Sequence, residues 1–243
     1  MADAQDINRN QAAKFYTAAK SSRQYYESFL VSNCLDKNVL EYGCGSGSYS
    51  FFLARHLANK VTGIDISAAA IESARAQAKV QNLGKAAFLV MDAEATEFDD
   101  DCFDVICGTG ILYHLNLGKA LKEIARILRP GGSAIFIEPM GYNQAINIYR
   151  RLTPHLRVKD EHPLKYEDLR LIKSFFQEAD FKFFHFFSLL AVPFRNMAIF
   201  PFLLNFLDYI DGKLAALLPF LRIFYWQVVI TLKNQDKSRS LGV

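Results

Sequence analysis

The sequence predicts an α/β fold with a doubly wound, mainly parallel sheet, and three features point there. Short apolar runs alternate with stretches of helical length and period from residue 38 to residue 138. The first run, Val39-Leu40-Glu41-Tyr42, passes into a glycine-rich turn, Gly43-Cys44-Gly45-Ser46-Gly47-Ser48, which opens a helix. At 243 residues the chain can build one such domain with an added segment around a sizeable core.

The elements follow in order. Residues 1–34 read as a polar helical cap, with Phe15, Tyr16, Tyr25, Tyr26 and Phe29 as its apolar positions; Tyr16 and Tyr25 are the candidates to reach a ligand. Strands are expected at 38–42, 60–65, 86–91, 103–108 and 133–138, with helices at 48–58, 67–82 and 117–128 between them. Pro130-Gly131-Gly132 is expected to end the third helix and turn the chain into the fifth strand. Beyond residue 139 the alternation lapses. A polar stretch runs to 164, a helix is expected at 165–178 and a strand at 181–187. An apolar, irregular segment at 188–224 then forms an insertion with helical character, before a last strand at 225–232 and a polar tail at 233–243.

Composition removes several classes. A net charge of +3 without basic clusters gives no nucleic-acid footprint. The four cysteines, 34, 44, 102 and 107, form no C-x-x-C pair and no His/Cys cluster, so neither a disulfide framework nor a metal site is expected. The first fifteen residues carry two Asp and no apolar run, which reads as no signal peptide and a reducing, cytoplasmic setting.

The turn is a nucleoside cradle: glycine lets a bulky ligand approach the backbone, and the helix behind presents its N–H groups. Its register is G-x-G-x-G rather than the G-x-G-x-x-G of a dinucleotide site, because Gly47 comes one residue early and position 48 is Ser. Glu41, two residues before the first glycine, would repel a diphosphate and attract an ammonium or sulfonium group.

Read together, VLEYGCGSG, GIDIS (63–67), MDAEATEF (91–98), FDVICGTGILYHL (103–115) and LRPGG (128–132) resemble the ordered motifs of the class I S-adenosylmethionine-dependent methyltransferases. The resemblance covers roughly residues 35–185 and the final strand, and is closest to the small-molecule, quinone-biosynthesis branch. It implies a Rossmann-like seven-stranded sheet with its last strand antiparallel, and S-adenosylmethionine as cofactor. The core then comprises 35–187 and 225–232, with 139–164 and 188–224 on the acceptor side. Asp65 lies 18 residues past Gly47, where a carboxylate can accept from both ribose hydroxyls. The resemblance further implies Ile66 against the adenine, Asp92 and the Ala93 N–H at its edge, and Gly108 and Thr109 beside the methionine portion. Glu41 and Gly43 would hold the amino group, with Cys44, Gly45 and Gly47 completing the turn.

The sulfonium is an activated methyl donor, so the protein must align the acceptor, exclude water and remove a proton where the acceptor is a hydroxyl. His114, just after the fourth strand, and His162 are the two candidate bases. In residues 150–162, eight of thirteen side chains are ionisable, and Arg150, Arg151 and Arg157 could grip a carboxylate or phosphate. Residues 181–232 hold 14 of the chain's 33 aromatics, whereas 186–221 carries only Arg195, Asp208, Asp211 and Lys213 as charges. Pro193, Arg195, Asn196, Pro201 and Asn205 leave no run near the about 20 residues of a membrane span. A lid over a hydrophobic acceptor, a membrane-interface surface and a homodimer patch all stay open. A polar-head pocket beside an apolar segment suits a small amphiphilic acceptor, methylated on O, N or C. The loop after the fourth strand lacks the Pro-Pro-aromatic pattern of DNA amino-methylation, so no nucleic-acid substrate is expected. The rival readings are a dinucleotide-dependent oxidoreductase, disfavoured by the early third glycine, and a non-catalytic membrane- or partner-binding module.

Overall fold

The computed structural model describes residues 15–153, 161–176 and 178–234. Its elements run α1 (Lys20–Asn33), β1 (Asn38–Tyr42), α2 (Ser48–His56), β2 (Lys60–Asp65), α3 (Ala68–Val80), β3 (Ala86–Val90), β4 (Phe103–Thr109), α4 (Leu117–Ile127) and β5 (Leu128–Pro139). Then follow α5 (Gln144–Leu152), α6 (Tyr166–Phe175), β6 (Glu178–Phe184), α7 (Phe200–Leu217) and β7 (Gln227–Lys233). Short 3-10 segments occupy Leu112–His114, Ser188–Phe194 and Pro219–Phe224.

The strands form one sheet in the order β3-β2-β1-β4-β5-β7-β6. β1 to β5 pair in parallel, and β7 runs antiparallel to both of its neighbours. Strand order reverses between β1 and β4, which opens a crevice above their carboxyl ends. Alternation along the strands feeds two apolar layers. Val39, Val105, Cys107 and Ile135 pack with Tyr26 and Leu30 of α1 and Leu53 of α2. Leu40, Tyr42, Ile106 and Phe136 pack with Leu121 and Ile124 of α4 and Leu169 and Ile172 of α6. Burial on both faces explains why these strands read as continuous apolar runs.

Four expectations need correction. Pro130-Gly131-Gly132 does not precede the fifth strand but lies inside it. Phe103 pairs with Leu128 and Val105 with Ser133, so residues 129–132 form a wide bulge in β5. The polar stretch contains α5, whose N-cap Asn143 accepts from the Ile146 N–H at 3.0 Å while Ile146 is buried. β6 covers 178–184 rather than 181–187, because His185 takes a left-handed backbone (φ 69°) that ends the strand. Finally, Pro201 does not interrupt the apolar segment. It occupies the first turn of an 18-residue helix, where its missing N–H costs nothing.

Candidate cofactor and acceptor site

The glycine turn joins β1 to α2 at the crevice. Gly43 and Gly45 both have left-handed backbones (φ 63° and 51°). A Cβ on Gly43 would approach Ile111 to 2.7 Å, whereas nothing lies within 4 Å of one on Gly45, so the space over the turn is open. Gly47, also left-handed, caps α2, and the Cys44 N–H is spent on the Ile64 carbonyl at 2.9 Å. Asp65 closes the turn from β2: its Oδ2 accepts from the Gly45 N–H and its Oδ1 from the Ser67 N–H, both at 2.9 Å. Beside it Ile66 stands 78% exposed, a large apolar side chain held out in solvent at the crevice rim.

Glu41 lies beneath the turn, almost fully buried. Its Oε2 accepts from the Ser50 N–H (2.8 Å) and hydroxyl (2.5 Å), and no bond engages Oε1 among the described residues. Burial pushes its carboxyl up to about 7 against the lowering pull of Ser50, with Asp65 adding a smaller rise. On the far side of Asp65, Asp92 is exposed and its Oδ1 accepts from the Glu94 N–H at 2.8 Å, while the Ala93 methyl is buried in the core. The loop after Asp92 is fastened by Arg126, which donates to the Phe98 carbonyl and Asp100 at 2.7 Å and to Glu123 at 2.5 Å.

A cavity of about 260 Å³ opens above the ends of β4 and β5. Thr109 and Gly110 form its floor, Tyr16, Tyr49, Tyr113 and Tyr149 line it, and Arg23 and Arg150 bring charge to it. Gly108 lies below, where a Cβ would meet Ile111, Phe136 and the Tyr42 carbonyl within 3.0 Å. The loop from β4 is held by one carboxylate. Glu138, fully buried, accepts from the N–H groups of Ile111 (3.0 Å), Leu112 (2.9 Å) and Tyr113 (3.4 Å). Burial pushes its carboxyl up to about 7 against those three bonds.

The two histidines expected as bases stand outside this cavity. The His114 ring lies against Tyr113 at 3.9 Å between centroids, and burial lowers its pKa while Glu161 opposes that shift. His162 donates its backbone N–H to the Tyr113 carbonyl and lines a neighbouring cavity of about 470 Å³. Arg150 borders both cavities, Arg151 is exposed on α5, and Arg157 lies outside the described residues. Of the two tyrosines of the cap, Tyr16 lines the cavity, whereas Tyr25 packs on Phe184 under Lys182.

A third histidine escaped the sequence reading. His185, fully buried, sets Nε2 2.9 Å from the Ser22 hydroxyl and Nδ1 3.2 Å from Ser188, with an Asp208 oxygen 3.5 Å from Nδ1. Ser22 donates to Gln227 Oε1 at 2.7 Å, and both residues line the cavity. The partners come from α1, β7 and α7, and Ser22 and His185 are 163 positions apart. No local spacing could reveal them.

Residues 39–132 match the family described as a methyltransferase domain. Over that stretch, about two fifths of its length, the chain is similar to methyltransferase domains. Demethylmenaquinone methyltransferase of Lactococcus lactis is 33% identical over 120 residues, covering 46% of this chain and 48% of its own. Aklanonic acid methyltransferase of a Streptomyces species is 35% identical over 107 residues, 43% of this chain and 49% of its own. The chain thus spans about half the length of the curated relatives it matches. Among solved structures, geranyl diphosphate C-methyltransferase from Streptomyces coelicolor superposes with a TM-score of 0.62 at 15% identity, over 89% of this chain and 78% of that one. That likeness concerns the fold. The residues of the crevice suit a sulfonium nucleoside: open ground over Gly45, a Glu41 oxygen unengaged among the described residues, a part-buried Asp65 and the projecting Ile66.

Proposed function

We propose that this protein transfers a methyl group from S-adenosylmethionine to a small amphiphilic acceptor bearing a negative charge. The observation that carries the reading is the cavity at the mouth of β4, lined among the described residues by two arginines and four tyrosines and by no Asp or Glu. Arg23 and Arg150 suit a carboxylate or phosphate, and Phe15, Ile137, Ile146 and Trp226 suit an apolar body. The relative named for an acid is consistent with the charged end of such a molecule, and the one named for demethylmenaquinone, itself uncharged, with its apolar body alone.

When bound, the cofactor supplies an activated methyl; the chain supplies position and a dry setting. Asp65 and Asp92 offer acceptors to the nucleoside, Ile66 offers an apolar platform, and Glu41 Oε1 with the Gly43 carbonyl offers acceptors to the amino group. Thr109 and Gly110 bring backbone to the boundary between crevice and cavity. Where the acceptor atom carries a proton, Ser22 is the cavity-lining hydroxyl backed by a histidine. With its hydroxyl turned from Gln227 to His185 Nε2, Ser22 passes its proton to the ring as it accepts the one released, and Asp208 and Ser188 hold the ring. His114 and His162 are left as supports of the loop at Tyr113.

Incubating the protein with metabolite and lipid extracts and a methyl-deuterated cofactor tests the reading. One species heavier by a CD3 replacing a hydrogen, retained on an anion exchanger, is the expected product. Labelling confined to neutral polar metabolites would overturn it.

A further inference from the structure

We infer that the outer face of α7 and its flanking 3-10 segments docks on an anionic lipid bilayer. The helix is built inside out. Phe202, Phe206, Tyr209 and Leu217 recur at helical spacing along one stripe and are 73, 52, 64 and 74% exposed. The opposite stripe carries Leu204 together with both acids of the helix. Asp211 is buried because its carboxylate accepts the N–H groups of Phe186, Phe187 and Ser188 at 2.8–3.0 Å, capping the 3-10 segment before it. Asp208 turns inward to His185.

Eleven of the 21 large apolar side chains exposed among the described residues fall between Phe187 and Phe220, so the patch is concentrated rather than scattered. Both acids being turned inward, the exposed charges of this segment are the cations Arg195 and Lys213, with the part-buried Arg222 donating to the Ala215 carbonyl beside them. Arg170 and Lys173 of α6 share a groove with Pro219 and Arg222, against one acid there, Asp180. Exposed aromatic and aliphatic groups ringed by cations match the interface of a membrane with anionic headgroups. A span is not involved, since no helix among the described residues is long and apolar enough to cross a bilayer. Nor is a lid: no residue from 188 to 224 lines the acceptor cavity. The inner side of the segment adjoins the cavity, because Phe15 packs against the buried cluster of Val192 and Leu204 on one side and that of Leu189 and Trp226 on the other.

Vesicle flotation of the full chain tests docking without cofactor or acceptor. Vesicles of phosphatidylcholine with phosphatidylglycerol should carry the protein, and pure phosphatidylcholine should carry far less. Arg195→Gln with Lys213→Gln should weaken binding roughly thirtyfold, taking about fivefold per cation near an anionic surface. Phe202→Glu with Phe206→Glu should abolish it. Both pairs are exposed, and unchanged binding of S-adenosylmethionine by calorimetry certifies the fold; absent cofactor binding with intact flotation would sink the proposed function alone. Equal flotation on both vesicle types, or none on either, overturns the inference. A dimer in light scattering that Phe202→Glu with Phe206→Glu converts to monomer, with no flotation, assigns the face to a second copy instead.

Discussion

Glu138 is where structure sets a magnitude most plainly. Its buried carboxyl rises from its ordinary 4.5 to about 7, while in the unfolded chain it keeps the ordinary value. Between those values the folded protein holds a proton the unfolded chain has released. Stability from this group is therefore complete below the lower value and is lost as pH rises through the upper one. A gap of that size corresponds to roughly 3 kcal/mol. In Glu138→Gln the amide oxygen can still accept from Ile111 and Leu112, which share Oε1, and only the long 3.4 Å contact to Tyr113 is forfeited. That should cost about 1 kcal/mol at low pH and remove the titration. Urea unfolding of both proteins from mildly acidic to mildly alkaline pH gives the difference curve. The wild-type advantage should shrink across that range by roughly 3 kcal/mol and reverse. Parallel curves would refute the raised carboxyl and the burial behind it.

Arg150→Ala should raise the KM for an anionic acceptor by roughly tenfold to a hundredfold while cofactor affinity holds, as measured once the deuterium label has named a product. His185→Gln should lower kcat on a hydroxyl or amine acceptor by roughly a hundredfold with cofactor affinity unchanged; an unchanged kcat returns the proton to another group. Gly43→Ala should destabilise the fold by about 1–3 kcal/mol in thermal or urea melts, since its Cβ meets Ile111 in a left-handed backbone. Native protein treated with iodoacetamide should label at most Cys102. Cys34, Cys44 and Cys107 are buried, and burial pushes Cys34 up to about 12. Peptide mass mapping reads the outcome.

The parallel half of the sheet was legible because its strands are buried on both faces and its turns are written in glycine, acid and small residues at fixed offsets. The placement of Glu41, Gly43, Asp65 and Asp92 at the strand ends came from the motif resemblance together with the strand pattern. The second half hid its logic in conformation and distance. Only the left-handed backbone of His185 decides where β6 stops, and Pro201 begins a helix that composition presented as broken. The clamp of Glu138 on residues 111–113 and the meeting of Ser22, His185 and Asp208 join elements far apart in the chain, so no periodicity announces them. His114 had the favoured position after β4, but the 3-10 turn at 112–114 directs Tyr113 to the cavity in its place.

Calorimetric titration with S-adenosylmethionine, and with NAD as the competing nucleotide, addresses the crevice most directly. One site for the sulfonium nucleoside, little or no heat from NAD, and roughly thirtyfold or greater loss on Asp65→Ala are expected, two charge-assisted bonds to the ribose being removed. Saturable NAD binding with silence toward S-adenosylmethionine would contradict it.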